Sequence, residues 1–135
     1  MSEEGGVVLL DVMNVFTFDG VISADGNTRI AGQYAAGSAG GSINVSAVTL
    51  AGTSGRFRAQ GGFCGKSGNQ NYGSTGGGGR IAIRTNSAPW SDEDKALRIT
   101  VAPGGAQDSP SSSFGATAGT VFWGKRDNGF VMAFR

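Results

Sequence analysis

The chain has 135 residues, enough for one domain, and 25 of them are glycine, against a usual share of about 7%. With 11 basic and 10 acidic residues the net charge is +1, so no polyanion-binding excess is present and nucleic acid is not an expected partner. No histidine and a single cysteine, Cys64, rule out a His-based zinc site, a Ser-His-Asp or Cys-His nucleophile pair and an intramolecular disulfide.

The acidic opening Met1–Gly6 has no basic stretch or cleavage site of a signal peptide. The longest apolar run, Val7 to Leu10, is too short to enter a bilayer, and no membrane insertion is expected. Gly5-Gly6 introduces a strand-like run, Val7 to Val12, followed by the apolar piece Val15 to Phe18. A second strand, Gly20 to Gly26, leads into a loop from Asn27 to Ala39. The pattern then restarts: Gly40-Gly41 precedes Ser42 to Ala47, Val48-Thr49-Leu50 follows, and Gly55 to Gly62 is the second strand. The next loop, Phe63 to Gly77, holds Cys64, a lone loop thiol with Lys66 two residues on.

Gly78-Gly79 opens the third unit with Arg80 to Thr85, then the weaker piece Ala88-Pro89-Trp90. Ser91 to Leu97, an N-cap followed by Asp92, Glu93 and Asp94, predicts a single helical turn in an otherwise all-β chain. Leu97 to Gly105 reads as the matching second strand, with a bulge expected at Pro103. After the loop from Ala106, Ala118-Gly119 introduces a fourth start, Thr120 to Trp123. The glycine-to-strand starts are 35, 38 and 40 positions apart, so the units span about 5–39, 40–77, 78–117 and 118–135.

Within the strands, Ile43, Val45 and Ala47 alternate with Ser42, Asn44 and Ser46, and Ile81 and Ile83 with Arg80, Ala82 and Arg84, so one face is buried and one wet. Tight two-residue turns are missing, which argues against a sandwich, and long crossings return each time to the same phase. The expected fold is therefore all-β: a parallel β-solenoid of about 3.5 coils forming a single domain over 1–135, with the long glycine-rich loops on one side. Glycine doublets stacked on glycine doublets would serve its corners.

The succession Gly-Gly-[Ser/Arg]-Ile-x-[Val/Ile], then Gly-x-[Ile/Phe]-x-Ala-x-Gly-Gly, then a loop ending in Gly-Gly-Gly-Gly-Arg-Ile-Ala-Ile, resembles the glycine-rich parallel β-helix repeats of large secreted and cell-surface proteins of bacteria. The resemblance covers about Gly5 to Trp123 and excludes the Pro89-to-Lys95 insertion and the tail. It implies an extracellular or cell-surface location and a stalk or adhesive scaffold, with no fixed catalytic residues and no cofactor.

Two function classes follow. The first is a non-catalytic structural protein, a scaffold or surface-fibre subunit. Its ends carry apolar strand-like residues, Val7, Val8, Leu9 and Leu10 at one and Phe130, Val131, Met132 and Phe134 at the other. Such ends are covered either by neighbouring repeats of a longer chain or by copies of the same chain joined head to tail. The second is a carbohydrate-binding or polysaccharide-cleaving domain. Arg56, Arg58, Arg80, Arg84 and Arg98 would then form an outward basic strip for acidic glycans, with Trp90, Tyr34 and Tyr72 as stacking rings. Asp92 to Asp94 read as a helix start rather than as a catalytic or metal cluster. No metal or cofactor is expected.

Overall fold

A computed structural model describes residues 5–28, 36–64, 66–67, 70–71, 74–105 and 116–127. Its elements in chain order are β1 (Val7–Thr17), β2 (Val21–Ser23), β3 (Ser42–Ala51), β4 (Arg56–Arg58), β5 (Lys66–Ser67), β6 (Gln70–Asn71), β7 (Arg80–Ser87), α1 (Asp92–Arg98), β8 (Ile99–Thr100) and β9 (Thr120–Gly124). Strands β1, β3, β7 and β9 form one parallel sheet in that order, and β2, β4 and β8 a second; β5 and β6 make a small antiparallel hairpin. Each unit thus contributes one strand to the first sheet, in register: Val7, Ser42, Arg80 and Thr120 lie side by side.

These two open sheets replace the closed parallel β-solenoid of about 3.5 coils expected from the repeat. Among the described residues no closed coil forms, and each sheet keeps two unpaired edges. The apolar piece between the two strands of each unit is what fails to form a strand of its own. Val15 to Thr17 simply continue β1 beyond a register shift between Val12 and Val15, and Thr49 to Ala51 continue β3. In the third unit β7 stops at Ser87, two residues before Pro89, which cannot donate to a ladder. The chain then enters α1. From Ile43 to its neighbour-sheet counterpart Phe57 is 14 positions, whereas from Ile81 to Ile99 is 18, so four extra residues are accommodated here. Leu97 and Arg98, expected in a strand, belong to this helix.

α1 begins as its sequence dictates. The Ser91 side chain accepts from the Asp94 N–H while the Asp94 carboxylate accepts from the Ser91 N–H, a reciprocal capping box. Asp92 to Asp94 in the first turn and Lys95 and Arg98 in the last complement the helix dipole.

The sheets turn their apolar faces on one core. Ile43, Val45, Leu50, Phe57, Ile81 and Ile83 are at most 1% exposed, and all but Leu50 have an apolar ladder neighbour in the unit on either side. An aromatic column threads it: Phe16 on Phe18 at 5.4 Å, Phe18 on Phe57 at 4.7 Å, Phe57 on Trp90 at 6.0 Å and Trp90 on Trp123 at 5.9 Å. Such pairs add about 0.5–1.5 kcal/mol each beyond burial.

Glycine acts where the sheets meet. Segments 24–27, 59–62 and 101–105 leave the second sheet, and 37–41, 76–79 and 117–119 enter the first. Within each set the backbones bond to one another, as in Gly26 N–H to Gln60 O (2.7 Å) and Gly40 N–H to Gly77 O (2.9 Å). The sets also bond across to each other: Gly41 N–H to Ala24 O and Gly79 N–H to Ala59 O, both 2.7 Å, and Gly62 N–H to Ser38 O and Gly104 N–H to Gly76 O, both 2.8 Å. Backbone packed on backbone in two directions leaves no volume for a Cβ at Gly26, Gly40, Gly41, Gly62, Gly79 or Gly104. A Cβ on Gly40 would stand 2.5 Å from Ala59 O, and one on Gly41 2.5 Å from Gly5 C. The requirement is space rather than backbone conformation, since the positive-φ glycine of the described chain is Gly52, at 109°.

No bulge forms at Pro103. The ladder continues past Thr100 without an extra residue, Gly61 donating to Ala102 O at 3.0 Å, so Pro103 takes the place that Gly26 and Gly61 hold in earlier units. Those glycines donate to the following unit; among the described residues none follows here, and the proline nitrogen loses no bond.

Candidate interaction edges

Four strands in one register leave β1 and β9 as the outer strands of the first sheet. Both carry apolar side chains that the fold leaves uncovered, as it also leaves Leu97 on α1 and Val21 on β2. Val7, Leu9 and Met13 are 71–78% exposed, and Val121 and Phe122 about half exposed, whereas Asn44, Ala82 and Ile81, the interior partners of Leu9, Phe122 and Val121, are buried or half-buried. Inward-facing Val8 and Leu10 are half-buried, because their ladder neighbours Ile43 and Val45 cover them on one side only. At the other end Val121, Trp123, Ile99, Ala96 and Lys95 line a mainly apolar recess of about 210 Å³.

The outward face of the sheet is polar and cross-linked. Arg84 donates to Asn44 Oδ1 (3.1 Å) and lies 5.2 Å above the Phe122 ring. Arg126, just past β9, reaches back across the strands: Nε donates to Ser46 Oγ (3.1 Å), and Nη2 to Asp11 Oδ1 (3.0 Å) and Met13 Sδ (3.4 Å). Its side chain is only 12% exposed. The last strand is thereby fastened to the first.

Of the residues considered for glycans, Arg56, Arg58, Arg84 and Trp90 do not share a surface. Arg56 and Arg58 project from the outer face of the second sheet and Arg84 from that of the first; because both sheets face the same core, these surfaces point away from each other. Arg58 is also paired with Asp25, whose second oxygen accepts from the Gln60 N–H at 2.8 Å. Trp90 is 5% exposed and is a core residue, not a surface ring: it sits between Phe57 and Trp123, donates Nε1–H to Gly52 O (3.2 Å), and carries the Arg98 guanidinium 4.8 Å above it. Arg98 is accordingly part of no outward strip. Cys64 is fully buried, its N–H donating to Gly105 O, so it is not a loop thiol open to solvent. Phe130, Val131, Met132 and Phe134, with Tyr34 and Tyr72, lie outside the described residues.

Asp19 organises the turn between β3 and β4. Its carboxylate accepts the N–H groups of Thr53 (2.6 Å) and Ser54 (2.9 Å), and these bonds, Ser54's foremost, hold its pKa below the ordinary 3.8. Asp92, through Lys95, and Asp94, through Ser91, are lowered in the same way. A carboxyl with a lowered folded-state pKa stabilises the fold above its unfolded value and loses that contribution as pH falls through the folded one. Melting temperature measured from pH 6 down to 2 should therefore fall below about pH 4, and Asp19→Asn should flatten part of that fall while lowering stability at pH 6.

Among the described residues no three His, Cys, Asp or Glu side chains gather as a metal site. No protein-family model, curated protein or solved structure matches the chain. Sequence reasoning found the β1 end but not the β9 edge. The signal was available: among the described residues the fourth strand start, Thr120 to Trp123, is the last of its series. The Arg126–Asp11 tie carries no such signal, being 115 positions long.

Proposed function

We propose that this protein is a non-catalytic structural unit of an extracellular or cell-surface scaffold, which joins copies of itself end to end through the open edges of its four-stranded sheet. The observation that carries this reading is the pair of apolar edge strands, unpaired among the described residues, at opposite sides of one parallel sheet, Val7 to Val12 and Thr120 to Trp123. An exposed strand edge is a template for another strand, and edges kept monomeric are usually charged, short or interrupted by proline. β1 has 11 residues, and its side chains exposed beyond half their area are mostly Val, Leu and Met. Parallel strands make the two edges different, so the contact joins unlike surfaces and does not close on itself.

Sedimentation velocity from about 10 µM to about 1 mM tests the reading, since mass action drives any such association over that range. The weight-average sedimentation coefficient should climb with concentration. Val7→Pro, which removes an edge N–H while sparing the internal ladder, should hold it at the monomer value. A wild-type chain that stays monomeric throughout contradicts the proposal.

A further inference from the structure

Resting on that reading, we infer that the junction between copies is a parallel β9-to-β1 ladder in one fixed register, with Thr120, Val121, Phe122 and Trp123 beside Val7, Val8, Leu9 and Leu10 of the next copy. The register comes from the three junctions inside the chain. Each is parallel, and each pairs the first residue after a small-residue doublet with the first residue after the next: Val7 with Ser42, Ser42 with Arg80, Arg80 with Thr120. The inward rows continue through all four strands, Val8, Ile43, Ile81 and Val121 in one, Leu10, Val45, Ile83 and Trp123 in the other.

The hydrogen-bond series fixes the same offset. Ser42 N–H donates to Gly6 O, Arg80 N–H to Gly41 O, and Thr120 N–H to Gly79 O, at 3.0, 2.8 and 3.0 Å. Continued by one step, the series requires the N–H of Val7 on the next copy to meet Gly119 O, and those two groups are its terminal donor and acceptor. A shift of one residue would turn Val8 and Leu10 of the incoming copy outward and Val7 and Leu9 into the core row. Side chains agree with the backbone. Leu10 of the next copy comes beside Trp123 at the apolar recess, and Leu9, 73% exposed, beside the half-exposed Phe122 on the outer face, so apolar groups of the two edges cover one another. The ladder has only five positions on β9, so the interface is well under about 1,000 Å² and each junction is weak and reversible.

Two variants of the full chain that each add one cysteine to Cys64, Leu9→Cys and Phe122→Cys, the first carrying a mass tag, test the register. They are mixed at a concentration where the wild type sediments above the monomer and treated with a short bis-maleimide; buried Cys64 makes the wild-type chain the background control. The expected product is the mixed Leu9→Cys/Phe122→Cys dimer, with same-variant dimers at the wild-type background, and Val7→Pro introduced into the Leu9→Cys chain should abolish it. A predominant Leu9→Cys homodimer means symmetric β1-to-β1 pairing and overturns the register while leaving self-association standing. Sedimentation above the monomer without a mixed cross-link does the same. No association at any concentration overturns both this inference and the reading beneath it.

Discussion

Gly41→Ala should unfold the protein or lower its melting temperature by about 10 °C or more, whereas Gly20→Ala should leave it unchanged or slightly raised. The two sites differ only in what surrounds the new methyl group. At Gly41 it meets the backbone of Gly5 and Gly6 from the neighbouring unit, with Gly5 C at 2.5 Å and Gly5 O at 2.6 Å. Those atoms belong to a hydrogen-bonded set that also holds Gly41 N–H against Ala24 O, so no flexible side chain can move aside. Relief means separating the backbones and breaking several bonds, at about 1 kcal/mol each plus the cost of leaving buried polar groups unsatisfied. At Gly20 nothing lies within 4 Å, and alanine there narrows the unfolded ensemble. Thermal melts followed by circular dichroism read both; equal shifts at the two sites would show that spacing is not what these glycines provide.

Phe57→Ala should cost about 3–5 kcal/mol, a large fraction of the 5–15 kcal/mol typical of a domain this size. Phe57 is fully buried on the three-stranded sheet and lies between Phe18 and Trp90 in the aromatic column. Deleting it removes both ring contacts and opens a cavity whose walls are strands fixed in register on both sides, which limits collapse. Phe122→Ala, at a half-exposed ring on the sheet edge, should change stability by less than about 1 kcal/mol while weakening association. Urea unfolding of both variants gives the comparison; a loss at Phe57 no larger than that at Phe122 would place the core elsewhere.

Strand positions were readable because their signals are local. Val7, Ser42, Arg80 and Thr120 open strands where a small-residue doublet meets an alternating run, and the repeat spacing matched them as parallel neighbours. The helix start was readable from Ser91 and the acids after it, because a capping box spans only four residues. How the strands assemble was not. Whether Val15 to Thr17 turn a corner or continue β1 depends on a single register shift opposite Val48, which no composition signals. The direction of the Trp90 ring depends on Gly52 O and on Trp123, 38 and 33 positions away. Arg58 and Arg84 look alike in sequence, each in an alternating strand, and only the packing of two sheets about one core sends them to opposite surfaces. The repeat spacing ties the glycine doublets to stacked units, but the second direction of contact, between the segments leaving one sheet and those entering the other, is a three-dimensional relation.

Native-state hydrogen exchange measures that contact most directly. The N–H groups of Gly41, Gly62, Gly79 and Gly104 each donate from one backbone set to the other. They should exchange as slowly as Val45 and Ile83 in the interior strands, within about tenfold, because opening them requires the sheets to part. Exchange of these glycines at the rate of an open loop, with Val45 and Ile83 still protected, would contradict the account of what the glycines between the two sheets are for.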